Sequence, residues 1–304
     1  MKESRLKANL ILLLAALIWG LAFVAQKIGA KYLGAFTFNG IRFALGSLSL
    51  IPLILFQTKK KQKLAEKNQP TANFLIPGII IGLILFSAAS LQQIGLATTT
   101  TGKAAFITGL YLVLVPFFGI FLKHSIKLNM WVGAVLATIG LYILSVNEQF
   151  SIAHGDLLEL IGAVLWAFHI LTIDYFSKKV DPLKLSCIQF TTCSVLSLMV
   201  AIIFEKITLN ALWQALIPIL YGGIFSVGIA FTLQVIGQKY AKPSDAAIIL
   251  SMEAIFASLG GLIILHENLG LQGYLGCALM LLGMLLSQLE VSPEKNQHYK
   301  CRDI

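Results

Sequence analysis

Charge is scarce in this chain: Asp, Glu, Lys and Arg make up only 12% of its 304 residues, about half the share of an ordinary soluble domain. A water-soluble fold of this length is excluded, because it needs far more polar surface than these residues supply. Cysteine is also sparse, at four residues. Cys187 and Cys193 fall in one apolar run, Cys277 in another and Cys301 in a polar tail. No CxxC spacing occurs, so neither a zinc site nor a secreted disulfide framework is indicated. Nucleotide-binding signatures are missing too. Thr101-Gly102-Lys103-Ala104 imitates the end of a phosphate loop, but Ala97 stands where its first Gly belongs and Ala104 replaces the Ser or Thr. No domain for ATP hydrolysis is visible.

What is abundant is apolar sequence, at 57% of residues, with a mean hydropathy of +0.83. About 20 apolar residues in helix cross the hydrocarbon of a bilayer. Ten such runs follow: Asn9–Ile28, Thr37–Phe56, Phe74–Leu96, Lys103–Leu122, Met130–Val146, Leu157–Phe176, Leu183–Phe204, Leu212–Gly237, Ser244–His266 and Leu271–Leu289. The first is read as a retained span rather than a cleaved signal, since it exceeds a signal core and no small-x-small site follows. The longest loop, Gln57–Asn73, is Lys-rich and carries Pro70. The expectation is an all-α integral membrane protein of ten transmembrane helices.

The net charge of +9 does not form a nucleic-acid face, because the basic residues are dispersed among short loops. Eighteen Lys and Arg fall on the side of the N-terminus and four on the other, with Arg42 inside a span. By the positive-inside rule both termini are cytoplasmic, in a cell membrane.

The chain also repeats itself. Ile18-Trp19 matches Leu165-Trp166 and Ile41-Arg42-Phe43 matches Ile188-Gln189-Phe190, both at an offset of 147. Ile76-Pro77 matches Ile217-Pro218 and Gln93 matches Gln234 at 141, while Gly133 and Gly140 match Gly276 and Gly283 at 143. Each half holds five spans, an odd number, so the second half enters from the opposite face: two inverted five-helix repeats. The expected layout is a cytoplasmic N-terminal segment at 1–8, a first repeat at 9–146, an extracytoplasmic linker at 147–156, a second repeat at 157–289 and a cytoplasmic tail at 290–304.

Paired five-span halves, the mid-helix Trp of spans one and six, and the run from Glu253-Ala254-Ile255-Phe256-Ala257 to Leu265-His266-Glu267 resemble the drug/metabolite transporter superfamily, and within it the EamA-type permeases. The resemblance covers roughly residues 8–290. It departs at His124, where the family often has Glu, and at Glu253-Ala254, where Glu-Pro is frequent. It implies a secondary transporter exporting metabolites, amino acids or drugs. An uptake permease of the same fold, a channel and a non-transporting scaffold remain alternatives. An intramembrane enzyme lacks support, because His169 alone among histidines lies deep in a span, without paired Asp or a metal cluster. No cofactor, metal or catalytic residue is expected. The expected partners are the bilayer and a small solute, not nucleic acid, with a homodimer open.

At a helical rise of about 1.5 Å per residue, Trp19, Tyr111, Trp166, His169 and Glu253 lie about 12–18 Å from the first residue of their spans. Aromatic-belt residues belong at the interfaces instead, as Tyr32, Trp131, Trp213 and Tyr274 do. The five deep residues suggest a shared midplane cavity, with helix packing as the alternative. A carboxylate at that depth is expected to be protonated, paired or hydrated, which makes Glu253 a candidate for proton coupling. His169 is the second candidate, against a plain hydrogen bond to a neighbouring helix. Arg42 either snorkels outward or pairs with Glu253 or an anionic substrate. Gln26 and Gln93 near the outer rim, and Gln234 near the inner rim, complete the candidate substrate contacts. Asp174 is expected to face headgroups or pair with Lys178, and Pro116 to kink span four.

Overall fold

The computed structural model describes residues 2–63, 73–119, 128–145, 153–241 and 243–288. His124, residues 147–152 and the tail 290–304 lie outside them. The described chain forms ten apolar helical segments, two of them interrupted. Eight are long and apolar enough to cross a membrane: α1 Leu6–Gly29, α2 Ala35–Lys59, α3 Leu75–Thr98, α4 Thr101–Phe118, α6 His154–Ser177, α7 Pro182–Phe204, α8 Leu216–Gln238 and α9 Ala246–Ile264. Two are shorter apolar helices, α5 Leu128–Ser145 and α10 Gly270–Gln288. A short helix, Leu209–Gln214, precedes α8. All ten overlap the runs expected from hydropathy.

The halves pack about a pseudo-two-fold axis that exchanges α1–α5 with α6–α10. Helices α2 and α7, α4 and α9, and α5 and α10 pack against their own mates, while α1 against α8 is matched by α6 against α3. Individual contacts repeat the exchange. Ser47 Oγ donates to the Cys187 carbonyl (3.2 Å) and Ser194 Oγ to the Gly40 carbonyl (2.8 Å), each the other's counterpart at an offset of 147. Helices α5 and α10 cross where neither has a side chain. A β-carbon on Gly140 would fall 2.6 Å from Met280 N and 2.7 Å from the Gly276 carbonyl oxygen. One on Gly283 would fall 2.5 Å from Ala137 N and from the Gly133 carbonyl oxygen. In lipid, where no hydrophobic effect drives helices together, such close backbone approach supplies the packing energy.

Two irregularities matter for the site. Helix α8 is π-helical over Tyr221–Phe231, and a π-helical stretch takes in extra sequence. The repeat registers it: Gly82 and Gly223, which pack against matching residues of α7 and α2, differ by 141, while Gly95 and Gly237 differ by 142. The second irregularity is shared. Helix α4 breaks between Thr101–Thr108 and Tyr111–Phe118, and α9 between Pro243–Leu250 and Glu253–Ile264. The interruption of α4 falls at Gly109–Leu110, ahead of Pro116, which stands inside the second half-helix, and its mate at Ser251–Met252 has neither Pro nor Gly. Pro77 and Pro218 lie in first turns, where a missing N–H is tolerated.

Trp131, Trp213, Tyr274 and Tyr32 are exposed on the outside of the bundle. Asp174 pairs with Lys178 at 2.7 Å, one turn along α6. At the opposite, lysine-poor end, α1 is tied to α3 by Lys27 Nζ, which donates to the carbonyls of Leu96 (2.9 Å), Ala97 (3.1 Å) and Thr99 (2.6 Å). Glu267 accepts from Thr101 N (2.8 Å) and Oγ1 (2.6 Å) at the start of α4. Glu205 does the same for α2, through Phe36 N (2.9 Å) and Thr37 N (2.7 Å). Each carboxylate caps a distant helix N-terminus, where orphan N–H groups and the helix dipole favour negative charge.

Candidate functional site

The two interrupted helices set the centre of the site. Each break delivers the first residue of the following half-helix to the pseudo-two-fold axis, Tyr111 from α4 and Glu253 from α9. Tyr111 Oη donates to Glu253 Oε1 at 3.0 Å, and both side chains are buried. Around them lies a cavity with an open mouth. Trp19, Phe23, Tyr111, Trp166 and Phe231 give it aromatic walls, and Gln26, Arg42, Gln92, Thr108, Gln234 and Glu253 its polar groups.

Of the nine residues singled out from sequence, seven meet here: Trp19, Gln26, Arg42, Tyr111, Trp166, Gln234 and Glu253. Arg42 does not snorkel. It is 2% exposed, its Nε donates to Asn39 Oδ1 (2.9 Å), and its guanidinium lies 4.9 Å from the centre of the Phe43 ring and 5.6 Å from that of Phe38. Among the described residues no carboxylate pairs with it and no acceptor meets its two terminal NH2 groups. An ion pair with Glu253, one of the alternatives open from the sequence, is not formed, although both side chains face one cavity.

Two residues are not in the cavity wall. Gln93 is turned away, its Nε2 donating to the Gln26 carbonyl at 3.1 Å. His169 stands behind the wall, edge-on to Trp166, with Nε2 3.0 Å from Gln189 Oε1 on α7. That is the structural hydrogen bond weighed against coupling from the sequence, and the ring is not among the groups that line the cavity. The misplaced glutamine has a definite cause. After the π-helical stretch the mate of Gln234 is Gln92, which lines the cavity, and not Gln93.

Sequence reasoning also passed over Asp156 and Glu159, both buried. Asp156 pairs with Lys103 and accepts from Thr99 Oγ1 (2.8 Å). Glu159 Oε2 accepts from Thr108 Oγ1 (3.0 Å). The expected span starts at Leu157, which leaves Asp156 in a loop and Glu159 in a first turn, where a carboxylate is ordinary.

Electrostatically the cavity holds one cation and one acid of opposite sign on different helices. It also holds polar atoms with nothing to bind. Trp166 Nε1, Gln26 Oε1 and Gln234 Oε1 are buried without a partner among the described residues. Buried polar groups are normally satisfied, and exceptions mark where a ligand or water belongs. With its mate Trp19 the contrast is direct, because Trp19 Nε1 donates to the Ser226 carbonyl of the π-helical stretch (3.2 Å). Among the described residues no group of three His, Cys, Asp or Glu is placed to hold a metal.

Residues 6–146 and 153–289 each match the EamA-like transporter family. The chain belongs to that family. It is a multi-pass membrane transporter, built from repeated halves, and not an enzyme. An uncharacterized transporter of Archaeoglobus fulgidus is 32% identical over 95% of this chain and 88% of its own length. The threonine/homoserine exporter RhtA of Salmonella typhimurium is 28% identical over 83% of this chain and 81% of its own. A solved crystal structure shares the fold, with a TM-score of 0.68 at 20% identity over 92% of this chain and 96% of that one.

Proposed function

We propose that this member of the family is an alternating-access exporter of small organic solutes, and that zwitterionic amino acids are the class its cavity suits best. The observation that carries the reading is the pairing of unspent groups. Arg42 offers two free NH2 groups, in the planar fork that matches a carboxylate. Across the cavity Glu253 has a carboxyl oxygen to spare for an ammonium group. Trp166 Nε1 and the amides of Gln26 and Gln234 are left for the side chain of the solute, and the aromatic walls exclude water. Inverted five-helix repeats around a midplane site suit rocking of one bundle against the other. The similarity to the threonine/homoserine exporter supports both the substrate class and the direction. The distribution of Lys and Arg supports cytoplasmic termini, and with them a lysine-poor face that points out of the cell.

Proteoliposomes loaded with labelled threonine or homoserine test this. Saturable efflux, competed by other zwitterionic amino acids and weakened in Glu253→Gln, is the expected outcome. Linear flux with no saturation marks a channel. Efflux in which all three of Trp19→Ala, Trp166→Ala and Glu253→Gln behave as wild type dismisses this cavity as the site.

A further inference from the structure

The two halves bury different side chains in two equivalent pockets between them. In one, α1 meets α8 at Gly237, and a β-carbon there would fall 2.7 Å from Leu12 Cγ and 3.5 Å from the Ala8 carbonyl oxygen. In the other, α6 meets α3 at Gly95, the mate of Gly237. Here a β-carbon would fall 2.7 Å from the Gly155 carbonyl oxygen and 3.1 Å from both Cγ and Oε1 of Glu159. Gly155 and Glu159 are the mates of Ala8 and Leu12, at an offset of 147. Leu12 and Glu159 are both 0% exposed. Packing in this pocket is therefore met by an apolar side chain, as Leu12 shows, and the carboxyl of Glu159 adds nothing to it. An unpaired carboxylate taken out of water costs several kcal/mol. A group held there at that cost calls for another explanation than architecture.

Its surroundings narrow the explanation. Glu159 Oε2 has the Thr108 hydroxyl, but Oε1 has no partner among the described residues. The charged groups on the surrounding helices are few. Lys103 of α4 is committed to Asp156, one turn before Glu159 on α6, and α3 and α8 carry no charged residue at all. On α9, Glu253 faces Tyr111 and Asp245 belongs to the lysine-rich end; on α1, Lys27 is spent on three carbonyls of the α3 terminus. His154, at the start of α6, is exposed. Among the described residues of these surrounding helices no uncommitted cation is placed to neutralise the carboxylate. One carboxyl and one hydroxyl are too few oxygens for a bound metal cation, which gathers about six. A proton needs only Oε1.

We propose that Glu159 is a proton-binding site, facing the lysine-poor surface through Asp156 and Lys103 and the solute cavity through Thr108. Asp156 lies one turn nearer that surface, and Lys103 beside it is 19% exposed. Thr108 both bonds Glu159 and lines the cavity, so a change of charge on Glu159 is felt one side chain from the solute. This coupling rests on the transport reading above and makes Glu159 its proton carrier in place of the two candidates read from the sequence, Glu253 and His169.

Infrared spectroscopy of the purified full-length protein, titrated from acid to alkaline pH, reads the site without any substrate. A protonated-carboxyl carbonyl band that survives in Glu253→Gln and is lost in Glu159→Gln is the expected result. Glu159→Leu, which copies Leu12, keeps the readout available if the Gln variant does not fold. A band unchanged in both Glu159 variants overturns the proposal, as does a band displaced by sodium but not by potassium. In threonine-loaded proteoliposomes an inward pH gradient should speed efflux by the wild type and leave both Glu159 variants unaffected. Wild-type vesicles that carry no threonine, with the band still lost in Glu159→Gln, would uphold the proton site and defeat the amino-acid reading instead.

Discussion

Helices α1–α5 and α6–α10 share a backbone plan yet differ at nearly every place where chemistry is possible. Tyr111 in one half stands opposite Glu253 in the other, Arg42 opposite Gln189, Leu12 opposite Glu159, and a satisfied Trp19 opposite an unsatisfied Trp166. By contrast the close-packing positions agree: Gly140 with Gly283, Gly82 with Gly223, Gly95 with Gly237, Ser47 with Ser194. The repeat thus supplies shape, and departures from it supply charge and hydrogen-bonding capacity. An inverted repeat can exchange its two faces only if the packing is nearly symmetric, whereas a solute that is not symmetric needs an asymmetric cavity.

Making the halves alike should therefore damage function more than making them differ in shape damages stability. The largest effect is expected from Arg42→Gln, which installs the residue of the second half. It removes a charge-assisted contact worth about 1.5–3 kcal/mol, or roughly ten- to a hundredfold in the half-saturating solute concentration. Efflux titrations read this directly, and an unchanged half-saturation would mean that Arg42 does not meet the carboxylate. Glu253→Gln should cost a similar factor toward the ammonium group, with the Tyr111 hydrogen bond kept by the amide oxygen.

A smaller effect, on stability, is expected at the α5–α10 crossing. Gly140→Ala and Gly283→Ala each press a methyl group into backbone atoms of the other helix. Overpacking of this kind costs about 1–3 kcal/mol. Thermal unfolding in detergent should show the two variants falling by like amounts, since each is the other's image. A loss confined to one of them would mean that the packing symmetry is only apparent.

Hydropathy made most of this architecture legible. A span has to be apolar along its length, so Leu75–Thr98 was visible as Phe74–Leu96 and Pro182–Phe204 as Leu183–Phe204. Depth was legible for the same reason, and Trp19, Tyr111, Trp166 and Glu253 meet at one level. Direction around the helix axis was not. Gln92 and Gln93 have equal depth and hydropathy, and only the extra residue in the π-helical part of α8 decides which one pairs with Gln234. The break in α9 was not legible either, because Ser251–Met252 contains no residue that forbids a helix; there Ser251 Oγ donates to the Ile248 carbonyl of the preceding turn (2.8 Å). Asp156 and Glu159 were hidden by their nearness to a helix end, where carboxylates are common and usually solvated.

The smallest expected difference is also the most discriminating, because it concerns two chemically identical side chains. Trp19→Phe removes a hydrogen bond to the Ser226 carbonyl and should lower stability by about 1 kcal/mol, the usual net worth of such a bond. Trp166→Phe removes an N–H that has no partner, so stability should hold or rise slightly as a buried orphan donor disappears. For transport the order reverses. Only Trp166 has an N–H to give to a solute, so Trp166→Phe should raise the half-saturating concentration several-fold, while Trp19→Phe leaves it nearly unchanged. Thermal unfolding and efflux on the same two preparations check both halves of this statement. If the two variants moved together in either measurement, the unsatisfied indole would be a packing accident, and the asymmetry of the cavity would rest on Arg42 and Glu253 alone.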